Sequence, residues 1–169
     1  MFIVEKELTT EGKILLRIIK RKMGFVPPHF ELFAALNPKR LKMYLEELEH
    51  ISSHSSIDAD FFVFIRFITA TKESFDYCIN LNTKMLKSRG YSDEQIKSVA
   101  DSLENLPLDS RHKELFIATI DAMANSKSFT KEKIDKLQDI GWSHEDIWDA
   151  LDHGAFLYKY SKILSAYSR

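Results

Sequence analysis

Apolar residues in this chain recur at helical spacing almost from end to end, and no other feature narrows its fold as far. In "TTEGKILLRIIKRKMG" the period places Leu15, Ile18, Ile19 and Lys22 on one side, with Gly24 at a helix C-cap position. "VPPHFELFAALNP" predicts a short helix opened by proline and closed before Pro38. From Pro38 to Ser53, Leu41, Tyr44, Leu45 and Leu48 repeat at the same spacing. The polar run "SSHSSIDAD" then acts as a linker, with Asp58 as the N-cap of the next helix. "FFVFIRFITATK" is apolar on nearly all sides. A strand is the alternative there, but the length and the flow into "ESFDYCINLNTKMLKSRG" favour a buried helix. Further helices are predicted near 92–103, 109–126 and 130–139, and a long last one from 143 to 167. No strand leads through a glycine-rich turn into a helix, which excludes dinucleotide and phosphate-loop readings. The expectation is one compact all-α domain of about eight or nine helices.

Two stretches rhyme, "GYSDEQI" from Gly90 and "GWSHEDI" from Gly141. Each ends one helix with glycine, buries an aromatic and caps the next helix with serine. Ser92 with Gln95 makes a capping box, and Ser143 with Asp146 a weaker version. The rhyme is either ordinary helix–turn–helix grammar or a pair of related hairpins.

Composition removes several function classes. The 24 basic and 25 acidic residues nearly cancel, which argues against a nucleic-acid protein held by counterion release. The single cysteine, Cys78, excludes an internal disulfide and any cysteine-rich zinc site. No apolar run approaches the ~20 residues a membrane span needs. "MFIVEKELTTEGK" lacks a positive start followed by an apolar stretch, so the expected address is the cytoplasm.

The residues around Cys78 nevertheless have a pattern. "GFVPPHFELFAALNPKRL" places a Val-Pro step before a helix and a second proline. A mostly apolar helix leads into the helix of Cys78, then comes "GYSDEQI", and later "LQDIGWSHEDIWDALDHGAFLYKYSKIL". In this order and spacing, roughly from 24 to 165, the chain resembles the carboxymuconolactone decarboxylase and alkylhydroperoxidase D superfamily, in particular its short peroxidase-related branch. The resemblance implies an AhpD-like multi-helix bundle over 1–169, with an N-terminal helical segment at 1–37 and the helical core at 38–169. It also implies a homo-oligomer (dimer, trimer or hexamer) and no cofactor.

That family's signature is C-x-x-C-x-x-x-H, with a helper glutamate about three turns earlier. Aligning Cys78 with the second cysteine puts Phe75 at the first, Asn82 at the histidine and Val63 at the glutamate, while Tyr77 is a common family choice. In the family's peroxidases one thiolate attacks the peroxide, the second closes a disulfide, and glutamate and histidine relay the proton. Here Phe75 offers no sulfur, Asn82 accepts no proton near pH 7, and Val63 adds hydrocarbon. An apolar setting raises a thiol's pKa, so Cys78 is expected to be a neutral, slow thiol.

Other groupings point to less. Glu47 and His50 form E-x-x-H, the spacing of di-iron helices, and Asp109 with His112 is the nearest echo, so no metal site is expected. His144 suits a surface helix start. His153, beside Gly154 and among aromatics of the last helix, reads as a packed or interface histidine. With His54, it is the acid–base group that another part of the fold could bring to the pocket. Lys13, Arg17, Lys20, Arg21 and Lys22 make the first helix basic and amphipathic, a pattern used on membrane surfaces or acidic partners. With net charge near zero and no aromatic anchor in the run, a solvated face is the simpler reading.

The leading expectation is therefore a descendant without dithiol peroxidase activity, serving as a small-ligand-binding or interaction module in a redox or stress setting. The alternative is a single-cysteine, peroxiredoxin-type antioxidant enzyme using Cys78, and behind it a lactone-acid decarboxylase-like activity.

Overall fold

The computed structural model describes Phe2 and residues 7–168. Met1 and residues 3–6, part of the stretch read for a leader, lie outside the described residues, as does Arg169. Among the described residues there are nine α-helices, two short 3-10 helices and one isolated bridge between Phe2 and Ser168. The all-α expectation holds. The chain divides into two compact units, residues 1–52 with 162–169 and residues 53–161.

The first unit contains α1 (Thr10–Met23), α2 (Pro28–Leu36), α3 (Pro38–Ser52) and the last turns of α9 (His144–Ala166). Thr9 caps α1, its hydroxyl accepting the Gly12 amide at 3.1 Å. The buried face of α1 is Gly12, Leu16 and Ile19, whereas Ile18, grouped on one side with Ile19 by the sequence period, is 47% exposed. The reason is close backbone approach. A Cβ at Gly12 would stand 2.9 Å from the Ala34 carbonyl oxygen, so α1 lies on α2 through Gly12, and Ile18 points elsewhere. In α2, Phe30 and Phe33 surround Tyr44 of α3 at ring distances of 5.5 and 5.3 Å. His29 joins them, 5.6 Å from Tyr44, and burial pushes its pKa down to about 3, so it is neutral.

The second unit holds α4 (Ala59–Lys72), α5 (Asp76–Ser88), α6 (Asp93–Asp101), α7 (Ser110–Ala124), α8 (Lys131–Asp139) and α9 up to Ser161. Asp58 caps α4 as expected, accepting the Asp60 amide at 2.7 Å. Phe61, Phe62, Val63, Phe64 and Ile65 are each at most 1% exposed. A helix hydrophobic all round must be covered all round, and α4 packs against α5, α6 and α7.

The flow expected from α4 into α5 is interrupted. Ser74 takes φ 51° in the left-handed region. Its amide donates to Thr71 O and the Phe75 amide to Ala70 O, the paired bonds of a Schellman turn. Gly90 and Gly141 make the same turn, with Tyr91 bonding Leu86 O and Trp142 bonding Leu137 O. The rhyme therefore has a third verse, Ser74-Phe75-Asp76, hidden because serine stands where glycine is usual. The Ser92–Gln95 box forms in both directions, at 3.2 and 2.9 Å. So does the Ser143–Asp146 box, at 3.0 and 2.8 Å. Trp142 is buried, while Tyr91, expected inside, is only half-buried and donates its hydroxyl to Asp60 at 2.7 Å.

Candidate functional site

Cys78 is the third residue of α5 and is half-buried. Phe75 precedes the helix at the N-cap, makes no side-chain cap, and is 7% exposed. Its ring lies 5.9 Å from that of Tyr77. Asn82, one turn after Cys78 and buried, bends back along its own helix and donates its carboxamide N–H to the Cys78 carbonyl at 2.8 Å. Val63 is fully buried in α4, the helix that packs along α5. Among the described residues no side chain hydrogen-bonds the sulfur. Burial pushes the Cys78 thiol up to about 12. Its place in the first turn of a helix works the other way, but a helix terminus contributes about 0.3–1 kcal/mol, less than one pH unit, so burial wins.

The acid–base groups gather elsewhere in the second unit. His54 accepts the amides of Ser56 and Ile57 on Nδ1, at 3.2 and 3.0 Å. Its Nε2 faces Asp149 at 3.4 Å and Asp146 at 3.7 Å. Burial alone would raise the Asp146 carboxyl, but the amide and hydroxyl of Ser143, the hydroxyl of Ser56 and the neighbouring His54 outweigh it and hold the group low. His112 accepts the Asp58 amide on Nε2 at 3.1 Å and pairs through Nδ1 with Asp109 at 2.8 Å. Thus two histidines pin the polar linker that leads into α4, each using one nitrogen on backbone and turning the other to carboxylate. His153 is fully buried on α9, edge-on to Phe62 at 5.1 Å and stacked on Phe156 at 5.7 Å. Beside it, Gly154 lies where a Cβ would meet Met123 at 3.1 Å, so α9 runs close to α7. Neither His54 nor His153 bonds the Cys78 sulfur. No group of three or more His, Cys, Asp or Glu side chains among the described residues is placed to hold a metal ion.

By sequence, no protein-family model and no curated protein matches the chain. Solved structures do match. An uncharacterized peroxidase-related protein from Silicibacter sp. superposes with a TM-score of 0.85 at 16% identity, over 98% of this chain and 89% of its own. An uncharacterized peroxidase-related protein from Ralstonia eutropha, described as an alkylhydroperoxidase AhpD core, gives 0.80 at 16% identity, over 94% and 84%. A protein of unknown function from Agrobacterium tumefaciens gives 0.65 at 15% identity, over 80% and 92%. The chain has the AhpD-like fold.

Within this AhpD-like fold the second unit carries a cavity of about 240 Å³. Ile120, Met123 and Ala124 of α7 supply its apolar wall, Lys72, Glu73 and Tyr158 its polar groups, and Thr69 of α4 also lines it. Thr69 is 5% exposed, and its hydroxyl has no hydrogen-bond partner among the described residues. None of Val63, Phe75, Tyr77, Cys78 and Asn82 lines this cavity. Sequence reasoning missed it. The available signal was Thr69 itself, a hydroxyl in the apolar run "FFVFIRFITATK".

Proposed function

We propose that this AhpD-like protein works without paired-thiol chemistry, binding a small molecule as a cytoplasmic homo-oligomer in a redox or stress setting. The observation that carries the reading is the state of its one sulfur, a thiol raised to about 12 by burial with no side chain bonded to it. At pH 7 such a thiol is ionised to about one part in 10⁵, and the thiolate is the nucleophile. The α4–α7–α9 cavity is the place for the ligand. Its volume of about 240 Å³ leaves room for a small organic molecule with an apolar body. The Thr69 hydroxyl offers such a ligand a buried partner, which favours binding because an unmet buried hydroxyl costs free energy.

Two measurements test this. Purified protein mixed with hydrogen peroxide or an organic hydroperoxide and a dithiol reductant should consume peroxide no faster than Cys78→Ser. Rapid Cys78-dependent turnover would replace the proposal by the single-cysteine peroxidase, for which the half exposure of Cys78 leaves a route. In a fragment screen by methyl NMR, hits should move the Ile120 and Met123 signals, and Met123→Trp, which fills the cavity, should abolish them. Hits that ignore the substitution would remove the cavity from the reading.

A further inference from the structure

The homo-oligomer in the proposed function needs surfaces, and two of this chain's own surfaces fit each other. α1 is apolar on both sides. Opposite its buried face, Ile14 is 50% and Ile18 47% exposed, with Met23 at the helix end and Phe25 just beyond it, 42% and 50% exposed. Those four are among nine large hydrophobic residues left exposed among the described residues. Phe25 also supplies the aromatic anchor that the basic run itself lacks. Around them stand Lys13, Arg17, Lys20, Arg21 and Lys22, all exposed and without ion-pair partners among the described residues. The single acid of α1, Glu11, is paired with Lys42. Five cations around bare isoleucines describe more than a solvated polar face.

The opposite chemistry lies on α9. Trp148 is 69% exposed, the most exposed of the large hydrophobic residues. One turn before it on the same face is Glu145, and one turn after is Asp152, both exposed. An aromatic of that size flanked by two carboxylates is the composition of a contact anchor rather than of bare surface.

We infer that the basic, isoleucine-bearing face of α1 on one copy docks against the acidic Trp148 face of α9 on a second copy. Charge decides between the pairings. α1 against α1 sets cations on cations, and α9 against α9 sets carboxylates on carboxylates, and like-charge juxtaposition across an interface costs several kcal/mol. Only the heterologous pairing brings opposite charges together while covering Ile14, Ile18 and Trp148. The net charge of −1 leaves copies free to approach. Each copy presents both surfaces, so the contact forms twice in a two-fold dimer or once per junction in a ring or chain. The contact is small. A 14-residue helix is about 21 Å long, and a face ~10 Å wide covers about 200 Å², well under the ~800 Å² per partner of a standard interface. The association is therefore weak and salt-sensitive.

Sedimentation velocity from 5 to 500 μM, at 50 and 500 mM salt, reads it directly. Trp148 emission adds a second signal, because it should shift to the blue on association while buried Trp142 stays constant. Wild type should associate at low salt and weaken at least tenfold at high salt. Trp148→Ala, Arg17→Glu/Arg21→Glu and Glu145→Lys/Asp152→Lys should each be monomeric, with circular dichroism checking that each variant stays folded. An equimolar mixture of the two charge-reversed variants should associate again, since each then carries the complement of the other. Oligomers indifferent to these substitutions would keep the homo-oligomer and overturn the surface. A monomer throughout would overturn both, and if it bound vesicles containing phosphatidylglycerol, α1 would be a membrane-facing helix instead.

Discussion

The chain turns in the same way at Ser74 and at Gly141, and the two turns lead into opposite chemistry. Both close a helix with paired Schellman bonds and place an aromatic next, Phe75 or Trp142. Beyond Ser74 the new helix brings a thiol and no proton acceptor bonded to it, since Asn82 is spent on the Cys78 carbonyl. Beyond Gly141 it brings Asp146 and Asp149 beside His54, while Trp142 lies 5.0 Å from His112 and 3.7 Å under the Arg111 guanidinium. One turn has a nucleophile without a base, and the other has bases without a nucleophile. A shared backbone motif thus fixes where side chains stand and says nothing of what they do.

The largest expected effect concerns the first turn. Against free cysteine at pH 8, a thiol at about 12 has its thiolate fraction cut by roughly three orders of magnitude. The higher basicity of such a thiolate returns one to two of them, leaving alkylation by iodoacetamide about a hundredfold slow. The rate should still climb tenfold per pH unit at pH 10. A plateau below pH 8 would mean that a base reaches the sulfur after all and would erase the contrast between the turns.

At the second turn the histidine is structural. His54→Ala removes the acceptor for two backbone amides and leaves Asp146 and Asp149 without the imidazole Nε2 that faces them. Ser56 is exposed and its amide can turn to water, but Ile57 and Asp146 are buried, and unmet buried groups cost about 1–3 kcal/mol. A urea melt should lose about 2 kcal/mol, with exchange protection falling at Ser56 and Ile57. No loss of stability would show that the linker holds without it.

Legibility in the sequence depends on where the physical cause lies. α4 was legible as a buried helix because its apolar residues occupy every side, and Asp58 as its cap because capping is local. The Ser92 and Ser143 boxes were legible for the same reason. The break after α4 was not, because Ser74 adopts a conformation whose usual mark is glycine. The faces of α1 were misjudged because Gly12, which offers no apolar side chain to count, sets the approach to α2. His54 could be picked out as an acid–base group but not as a linker clamp, since backbone amides donate to it and every residue except proline has one. The low basicity expected of the Cys78 surroundings was visible residue by residue, whereas the cavity is formed by three helices distant in sequence.

A gain of function probes whether the first turn lacks only its base. Asn82→His puts an imidazole one helical turn from Cys78 and releases the bond to the Cys78 carbonyl. Alkylation at pH 8 should rise about tenfold, with overpacking costing about 1–3 kcal/mol at this buried site. An unchanged rate would show that burial alone, not the missing base, silences the sulfur.

The smallest effect separates the turns by pH. Asp146 is held low because, against the opposing pull of its burial, the Ser143 amide and hydroxyl, the Ser56 hydroxyl and His54 favour its charged form. A carboxyl whose folded pKa lies below its unfolded value binds fewer protons folded than unfolded in the window between them. Its contribution is present in full above the unfolded value of about 3.9 and disappears as pH falls through the folded one. Cys78 has the opposite sign. Its folded pKa is raised, so its contribution is present below the unfolded value of about 8.5 and is lost as pH climbs toward about 12. Asp146→Asn should therefore cost stability at pH 7 and progressively less below pH 4, where the wild type surrenders the same interaction. Cys78→Ser should leave that acid limb untouched and flatten only the alkaline one. Melting temperatures of the three proteins from pH 2.5 to 10.5 measure both limbs at once, and a constant gap between wild type and Asp146→Asn across the acid range would place the value of Asp146 in its shape rather than its charge.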